Sequence, residues 1–324
     1  MKLKAKIKET LEKNRGEAVS GEFLAREAGV TRAAVWKAVK SLEESGYKII
    51  SKKNKGYMLD ISSTEISKEG INLYLKGQEA SVYVFDEIDS TQNFGKKLAV
   101  EGKTERAVVT ADTQTEGRGR YGKSFYSPKS TGIYVSLVIR ADREVKEFVS
   151  VTFATAVALT RVIERHSSAV PKIKWVNDIW IGEKKAAGIL TEAVSDFESG
   201  RLSYAVIGIG MNVDTEDYPD EIKDIACSLG DIDISRNQLI GEIASEVFNV
   251  SDVLLNSEEG KKKLLEEYKR RSLVLGKNIY WMRGGKKYLG KAVDINEEGN
   301  LIVETAEGIE ILNSGEISIR PDIS

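Results

Sequence analysis

Residues 20–46, SGEFLAREAGVTRAAVWKAVKSLEESG, are the stretch that decides the fold of the N-terminal region. Ser20 can cap a short helix that Gly29 ends, because serine favours the N-cap and glycine the position just past a helix. Thr31 can cap a second helix in the same way. Two short helices joined by the tight turn at residues 28–31 are typical of a helix-turn-helix.

The flanking segments extend this unit in both directions. Upstream, apolar residues recur at four-residue spacing from Leu3 to Leu11, which predicts a further helix. Downstream, residues 47–51 and 57–59 predict two strands joined by a lysine-rich turn. A helix-turn-helix followed by a basic β-hairpin is the winged variant, so we predict a winged helix-turn-helix domain over residues 1–64.

The outward face of the second helix carries donors and small side chains, which suit the major groove of DNA, and the lysines of the wing suit phosphate. The predicted DNA-binding residues are Thr31, Arg32, Ala33, Lys37, Lys40, Lys53 and Lys55. Partial burial is favoured for Trp36. The alternative is a helical protein-interaction module with a solvated lysine face.

The distribution of charge agrees with a DNA-binding head. The net charge of −2 divides into +6 on residues 1–60 and −8 on the remainder. A basic head on an acidic body indicates that only the head meets a polyanion. Chance clustering on a solvated surface would produce the same asymmetry.

Composition excludes several classes of protein. Hydrophobic residues at 41% and charged residues at 30% exclude a disordered polyelectrolyte. The single Cys227 excludes a disulfide framework, and the single His166 excludes a multi-histidine metal centre. The longest nearly apolar run, residues 148–159, is shorter than the roughly 20 residues that span a bilayer, and no signal peptide is evident. We therefore expect a cytoplasmic protein with no membrane partner.

Beyond the head, strands and helices mix. The predicted strands are 81–85, 107–111, 132–139, 173–175, 179–181, 188–194 and 203–208, and the predicted helices are 90–101, 149–166, 236–255 and 257–271. Several strands follow one another without helices between them, which favours an α+β fold with a mixed sheet over a doubly wound one. Residues 273–324 predict about five short strands and a small β-barrel.

The segment 113–123, TQTEGRGRYGK, is the most informative part of the body. It contains a G-x-G-x-x-G pattern, but no helix follows, so the pattern is weak evidence for a dinucleotide site. The segment also carries three cations, which are Arg118, Arg120 and Lys123. On a pliable glycine backbone these cations can wrap a phosphate, which would order the loop. The alternative is a flexible basic surface loop.

Two further clusters add polar groups. The Asn177-Asp178 pair can form a structural type I′ turn, or it can present a carboxylate to a metal-nucleotide or an attacking amine. Lys185 precedes an apolar strand, where its ammonium can meet a carboxylate or phosphate oxygen. Residues 208–212, GIGMN, end a strand with small residues. A flat ring can therefore approach this strand closely, and the Asn212 amide can form hydrogen bonds with the edge of the ring.

Together these pieces resemble a biotin–protein ligase of the bifunctional form, and the resemblance covers nearly the whole chain. The motifs are Asp89-Ser90-Thr91, Gly117-Arg118-Gly119-Arg120, Lys174-Trp175-x-Asn177-Asp178, Lys185-x-Ala187-Gly188-Ile189-Leu190 and Gly208-Ile209-Gly210-x-Asn212. The resemblance implies a class II synthetase-like ligase domain over residues 65–272 and an SH3-like barrel over residues 273–324.

The resemblance also implies the reaction. Biotin and Mg-ATP give biotinyl-5′-AMP and pyrophosphate, and biotin then passes to a lysine of the biotin carboxyl carrier domain of acetyl-CoA carboxylase. Unused adenylate acts as corepressor, promoting a homodimer that binds the biotin operator. There is no prosthetic group, and Mg²⁺ is held by the ATP phosphates and not by protein ligands.

The resemblance assigns roles to individual residues. Those for biotin are Ser90, Thr91, Gln92, Gln114, Arg118, Gly119, Arg120 and Lys185. Those for the nucleotide are Arg118, Arg120, Asn177 and Asn212. The catalytic residues are Arg118, Arg120 and Lys185, which neutralise two anionic substrates, and Asp178, which steers or deprotonates the acceptor lysine.

The sequence departs from the family pattern at a few positions, which bear on how strongly the adenylate is retained. They are Gln92 for Asn, Val176 for Pro, Tyr121 and Lys123 for Arg, and Glu116 for a small residue. Two other functions fit the same pattern. One is a ligand-sensing transcription regulator without turnover, and the other is a ligase for lipoate or octanoate.

Overall fold

The computed structural model describes residues 3–143, 148–195, 202–313, 315 and 317–319. The described chain forms three β-sheets in the order head, body and C-terminal module. The last residues of the predicted barrel, 320–324, lie outside the described residues. Within the described ranges, none of the helices is both long and apolar enough to cross a membrane.

The head is a winged helix-turn-helix. Its elements are α1 Leu3–Lys13, β1 Ala18–Val19, α2 Gly21–Ala28, α3 Arg32–Glu44, β2 Ile49–Lys52 and β3 Gly56–Leu59. The predicted caps are confirmed, since Ser20 Oγ accepts the Phe23 N–H at 3.0 Å and Thr31 Oγ1 accepts the Ala34 N–H at 3.2 Å. Gly29 ends α2 with a φ of 65°, a conformation that glycine adopts without strain.

The buried face of α3 explains the position of its tryptophan. Val35, Val39 and Leu42 pack in the head core with α1 and α2. Trp36 lies on the opposite side and is 53% exposed. The partial burial favoured for Trp36 is therefore wrong, because the core-facing positions of α3 are filled by smaller apolar residues.

The body is built on a seven-stranded sheet. Its elements are α4 Lys68–Asn72, β4 Ser81–Ile88, α5 Thr91–Glu101, β5 Arg106–Gln114, β6 Gly132–Arg143, α6 Phe148–His166, β7 Pro171–Lys174, β8 Asp178–Ile181, β9 Lys184–Ser195, β10 Leu202–Asn212, α7 Arg236–Asn256 and α8 Glu258–Arg271. The strand order is β4-β5-β6-β10-β9-β8-β7, and among these neighbouring strands, as far as the structure describes them, β4 and β5 pair in parallel and the others are antiparallel. The predicted mixed sheet is confirmed, whereas α4 was not predicted.

The sheet is covered on both faces. Val138 and Val206 turn toward α5, while their neighbours Leu137 and Ile207 belong to the larger core with α6, α7 and α8. This alternation is the period of two that a β-strand imposes on its side chains. Helices therefore lie on either side of the sheet.

The C-terminal module is a five-stranded antiparallel sheet. Its strands are β11 Asn278–Arg283, β12 Lys286–Ile295, β13 Leu301–Thr305, β14 Gly308–Leu312 and β15 Ile317–Ile319, in the order β14-β13-β12-β11-β15. The module is fastened to the body where Trp175 Nε1 donates to the Gly299 carbonyl at 2.9 Å. An ion pair between Lys269 of α8 and Asp294 of β12, 2.8 Å apart, is a second contact between the body and the module.

Candidate active site

A cavity of about 380 Å³ lies where several strands of the central sheet end. The cavity brings together every residue that the sequence predicts for the ligase site. These are Ser90, Thr91, Gln92, Gln114, Arg118, Gly119, Arg120, Asn177, Asp178, Lys185 and Asn212. The lining residues come from distant segments of the body and from the C-terminal module, so the cavity forms only when these segments pack together.

One wall is a continuous network of buried polar groups at the start of α5. The Thr91 N–H donates to Gln114 Oε1 at 2.9 Å, and the Thr91 and Ser136 hydroxyls lie 2.9 Å apart. Ser136 in turn donates to Gln92 Oε1 at 3.0 Å, and Gln92 Nε2 donates to the Val206 carbonyl at 3.0 Å. The amides of Gln92 and Gln114 are thereby held in fixed orientations.

Ser90 is the exception in this wall. Its side chain is fully buried, and Oγ has no hydrogen-bond partner among the described residues. An unsatisfied buried hydroxyl costs about 1–3 kcal/mol, so such a group is expected to meet a partner on a bound molecule. Ser90 is therefore well suited to receive a polar group of a substrate.

Two glycines of β10 form the floor of the cavity. A methyl group built at Gly208 would lie 2.6 Å from Gln92 Oε1, and one built at Gly210 would lie 2.5 Å from the Phe125 ring. Either contact is far closer than van der Waals distance. Only glycine therefore lets this strand pass beneath the amide and the ring.

The cationic loop folds back on itself at the mouth of the cavity. The Gly119 N–H donates to the Lys123 carbonyl at 2.7 Å, and the Phe125 N–H donates to the Gly117 carbonyl at 2.8 Å. Between them lies a single 3₁₀ turn, Arg120–Gly122. The prediction that no helix follows the glycine pattern is confirmed, so the loop presents side chains rather than a helix N-terminus.

Arg120 is anchored on the opposite wall. Its Nη1 donates to Asn177 Oδ1 at 2.9 Å, while Asn177 Nδ2 donates to the Ile189 carbonyl at 2.8 Å. Both ends of the Asn177 amide are therefore occupied by protein groups. This geometry makes Asn177 a support for Arg120, whereas its direct contact with a nucleotide stays a prediction.

Asp178 and Lys185 form an ion pair, with Oδ1 and Nζ 2.8 Å apart. The sequence assigned these side chains separate roles, and the structure makes them partners. Below them, the hydroxyl of the fully buried Tyr268 donates to the Val176 carbonyl at 3.1 Å. Burial, followed by the nearby Asp178 charge, raises the pKa of Tyr268, so this phenol stays neutral.

Several lining residues were missed by sequence reasoning. They are Ser136, Phe125, Trp180, Ile317 and Ser318. Ser136 had a signal, since it is a polar residue inside the apolar strand at 132–139. Ile317 and Ser318 belong to the C-terminal module, and no local pattern places that strand at the cavity.

The predicted DNA-binding residues are all exposed. Arg32, Ala33, Lys37 and Lys40 lie exposed on α3, and Lys53 and Lys55 lie exposed in the turn between β2 and β3. Thr31, which caps α3, is also exposed. Lys40 pairs with Glu43 on its own helix, which reduces its net contribution to a positive field.

The single histidine and cysteine do not line the cavity. His166 Nε2 lies 3.2 Å from Glu242 Oε2 in an ion-pair cluster between α6 and α7. Burial raises the pKa of the Cys227 thiol, which disfavours the thiolate. Within the described ranges, no group of three His, Cys, Asp or Glu residues could hold a metal ion.

Three family models match the chain. The biotin/lipoate A/B protein ligase family matches residues 84–212, an HTH domain matches residues 4–58, and the biotin protein ligase C terminal domain matches residues 274–320. The fold and the cavity thus define a protein ligase of the biotin/lipoate type that carries a helix-turn-helix domain.

Whole-chain comparisons are more specific. The bifunctional ligase/repressor BirA of Bacillus subtilis is 34% identical over 318 residues, covering 94% of each chain, and that of Escherichia coli is 26% identical with the same coverage. The biotin protein ligase of Aquifex aeolicus, solved in complex with biotin and ATP, is 28% identical with a TM-score of 0.61, covering 74% of this chain and 98% of that one. The chain belongs to the bifunctional ligase/repressors of the biotin–protein ligase family.

Proposed function

We propose that this chain attaches biotin to a lysine of a biotin carboxyl carrier domain, such as that of acetyl-CoA carboxylase, and that it also represses the biotin operon. Biotin and ATP are the substrates, and Mg²⁺ arrives bound to the ATP phosphates. The observation that carries the proposal is that all the predicted ligase residues line the same cavity.

In the first step a biotin carboxylate oxygen attacks the α-phosphorus of ATP. A new P–O bond forms, the bond to the leaving pyrophosphate breaks, and biotinyl-5′-AMP results. Both reactants are anions, so Arg118, Arg120 and Lys185 lower the barrier by neutralising charge and aligning the groups. The polar wall around Gln92, with its fixed amide, orients the ring system of biotin.

In the second step the neutral ε-amine of the carrier lysine attacks the acyl carbon of the mixed anhydride. The C–N bond forms, the C–O bond to AMP breaks, and the amine gives up a proton. Asp178 stands at the cavity and is the group we assign to steering that amine or taking its proton. When a substrate phosphate or carboxylate binds Lys185, the ion pair loosens and Asp178 is released for this role.

The repressor activity belongs to the head. An exposed α3 with Arg32 and Lys37 suits a major groove, and the β2–β3 turn with its lysines suits the phosphate backbone. A single head would bury little surface against DNA, which is too little for specific binding. We therefore propose a homodimer on paired half-sites, with biotinyl-5′-AMP as corepressor. We assign domain boundaries at residues 1–64, 65–272 and 273–324, with a class II synthetase-like body and an SH3-like barrel at the C-terminus.

Mass spectrometry of a purified carrier domain tests the ligase proposal. Incubation with this chain, biotin and Mg-ATP should add one biotin to the carrier, and a carrier whose acceptor lysine is replaced by alanine should gain nothing. Release of pyrophosphate should precede the transfer. A carrier of unchanged mass and no pyrophosphate would contradict the ligase, leaving a ligand-sensing regulator, and transfer of octanoate in preference to biotin would indicate a lipoate-type ligase.

A further inference from the structure

The first turn of α7 contacts three parts of the chain, which are the head, the central sheet and residues 61–67, the linker between head and body. It carries Arg236, which is 8% exposed, and Asn237, which is fully buried. Neither residue lines the ligand cavity. Buried polar side chains of this kind are retained only when their hydrogen bonds are satisfied, so their partners define what the turn holds together.

Asn237 fastens the head and the linker to the body. Its Nδ2 donates to Glu12 Oε1 of α1 at 2.6 Å and to the Glu65 carbonyl at 3.0 Å. Its Oδ1 accepts the Ser67 N–H at 2.8 Å. Glu12 is itself buried, and its carboxylate is also paired with Arg15 inside the head. A single amide therefore connects the head, the linker and α7.

Arg236 connects the linker to the central sheet. Its Nη1 donates to the Thr64 carbonyl at 3.1 Å and to Asp112 Oδ1 of β5 at 2.6 Å. Its Nε and Nη2 donate to the Gly132 carbonyl of β6 at 3.1 and 2.7 Å. One guanidinium thus joins three separate segments of chain, using the rigid planar fork that lysine lacks.

The segments that Arg236 holds lead directly into the ligand cavity. Asp112 lies two residues before Gln114 on β5, and Gly132 is the register partner of Asn212. Gln114 and Asn212 both line the cavity. The same side chain that anchors the linker therefore also fixes two strand ends that carry candidate ligand-binding residues.

We infer that Arg236 and Asn237 form a joint that holds the DNA-reading head on the body and, through Arg236, positions the strand ends of the ligand cavity. This inference rests on the proposed ligase and repressor functions. Asn237 orients the head and takes no part in ligand binding. Arg236 is a positioning residue for the reaction, because it holds β5 and β6, which fix the strand ends that carry Gln114 and Asn212.

Asn237→Ala tests the orientation of the head. The matched control is Gln238→Ala, which removes an amide one residue further on whose contact with Glu242 stays within α7. Loss of the buried bonds should make a glutamyl endopeptidase cut after Glu65 about tenfold faster, and should weaken binding to a labelled biotin-operator duplex about tenfold. The kcat and KM for adenylate synthesis should stay within about twofold of the parent. If the endopeptidase cuts Asn237→Ala after Glu65 no faster than it cuts the parent, the proposed joint is refuted.

Arg236→Gln tests the link to the cavity. Freed strand ends should raise the KM for biotin and ATP about fivefold and change kcat less, while Arg236→Lys, which keeps the charge, should recover part of the loss. Unchanged KM values in a folded Arg236→Gln chain would refute the positioning role. If Arg236→Gln does not fold, the KM values for biotin and ATP are measured on Arg236→Lys, and values equal to those of the parent would then refute the positioning role. The endopeptidase assay needs neither ligand nor DNA, so it tests the joint even if the parent chain makes no adenylate.

Discussion

The helix pair α2–α3 and the ligand cavity are built in opposite ways. In the helix pair, each capping side chain accepts a backbone N–H from the residue three positions later, Ser20 from Phe23 and Thr31 from Ala34. In the cavity, Gln92 is held by Val206, far along the chain. The helix pair is a product of neighbouring residues, whereas the cavity is made by the packing of the whole body.

The two regions also place their polar groups differently. The side chains of α3 that suit DNA point into solvent, where each can be changed with little effect on the fold. The polar groups of the cavity are buried in a network, so a change in one disturbs its neighbours. This contrast predicts separable function in the head and strongly coupled function in the cavity.

The largest expected effect comes from removing the head. A chain that begins at Ser67 should keep adenylate synthesis, because the cavity walls begin at Ser90. It should lose specific operator binding, a drop of at least about a thousandfold, since specific sites are typically bound that much tighter than other DNA. Pyrophosphate release and a gel shift measure the two properties. A shortened chain that still retards operator DNA would show that the head is not the reader.

Next in size is the loss of a cavity cation. Arg120→Ala removes the guanidinium held by Asn177, and charge-assisted contacts of this kind are worth about 1.5–3 kcal/mol, so adenylate should dissociate about a hundredfold faster. The folded variant should then biotinylate lysines of an unrelated protein. Lys103→Ala, which removes an exposed cation outside the cavity, serves as the control. Adenylate release at the parental rate would refute the assignment of the loop.

A smaller effect is expected on the cavity floor. In Gly208→Ala the added methyl group meets Gln92 Oε1 at 2.6 Å, which should raise the KM for biotin about tenfold through a clash of about 1–2 kcal/mol. Adding Gln92→Asn, whose amide reaches less far, should restore part of the loss. Steady-state kinetics at varied biotin concentration measure both variants. If the second change gives no recovery, Gln92 does not set the shape of the floor.

The smallest expected effect is on the free energy of unfolding, and it comes from replacing Glu242. Burial raises the pKa of Glu242, but hydrogen bonds from Gln238, His166 and Lys76 outweigh it and hold the pKa at about 2. A depressed carboxyl pKa contributes stability that is present above its unfolded value of 4.5 and is lost as the pH falls toward 2. Urea unfolding should show that Glu242→Gln costs about 1–2 kcal/mol at pH 7 and much less at pH 3. An equal cost at both values would contradict the assigned pKa.

Much of the fold could be predicted from the sequence, because helix caps, turns and strand patterns depend on residues that are close together in the chain. The caps of α2 and α3, the wing and the five C-terminal strands follow from Ser20, Thr31, the glycines and the alternating apolar residues. The short helix α4 was missed, since five residues carry too little periodicity. Trp36 was misplaced because bulk alone does not indicate which face of a helix is already filled.

The residues of the candidate site could be predicted from sequence motifs, but the contacts between them could not. The sequence placed Asp178 and Lys185 in separate motifs with separate roles, and the pairing of β8 with β9 brings their charged atoms within 2.8 Å. The support that Asn177 gives Arg120 was also not evident from the sequence, because it depends on the packing of the loop against the strand that carries Ile189.

The sequence by itself determined most of the elements, their order and the residues with the chemistry to neutralise phosphate, because these depend on contacts a few positions apart. Tertiary structure alone decided that Ser136, Ile317 and Ser318 line the cavity, and that Arg236 and Asn237 hold the head, the linker and the sheet together. Such contacts form between residues far apart in the chain, and their geometry is set only when helices and sheets have packed.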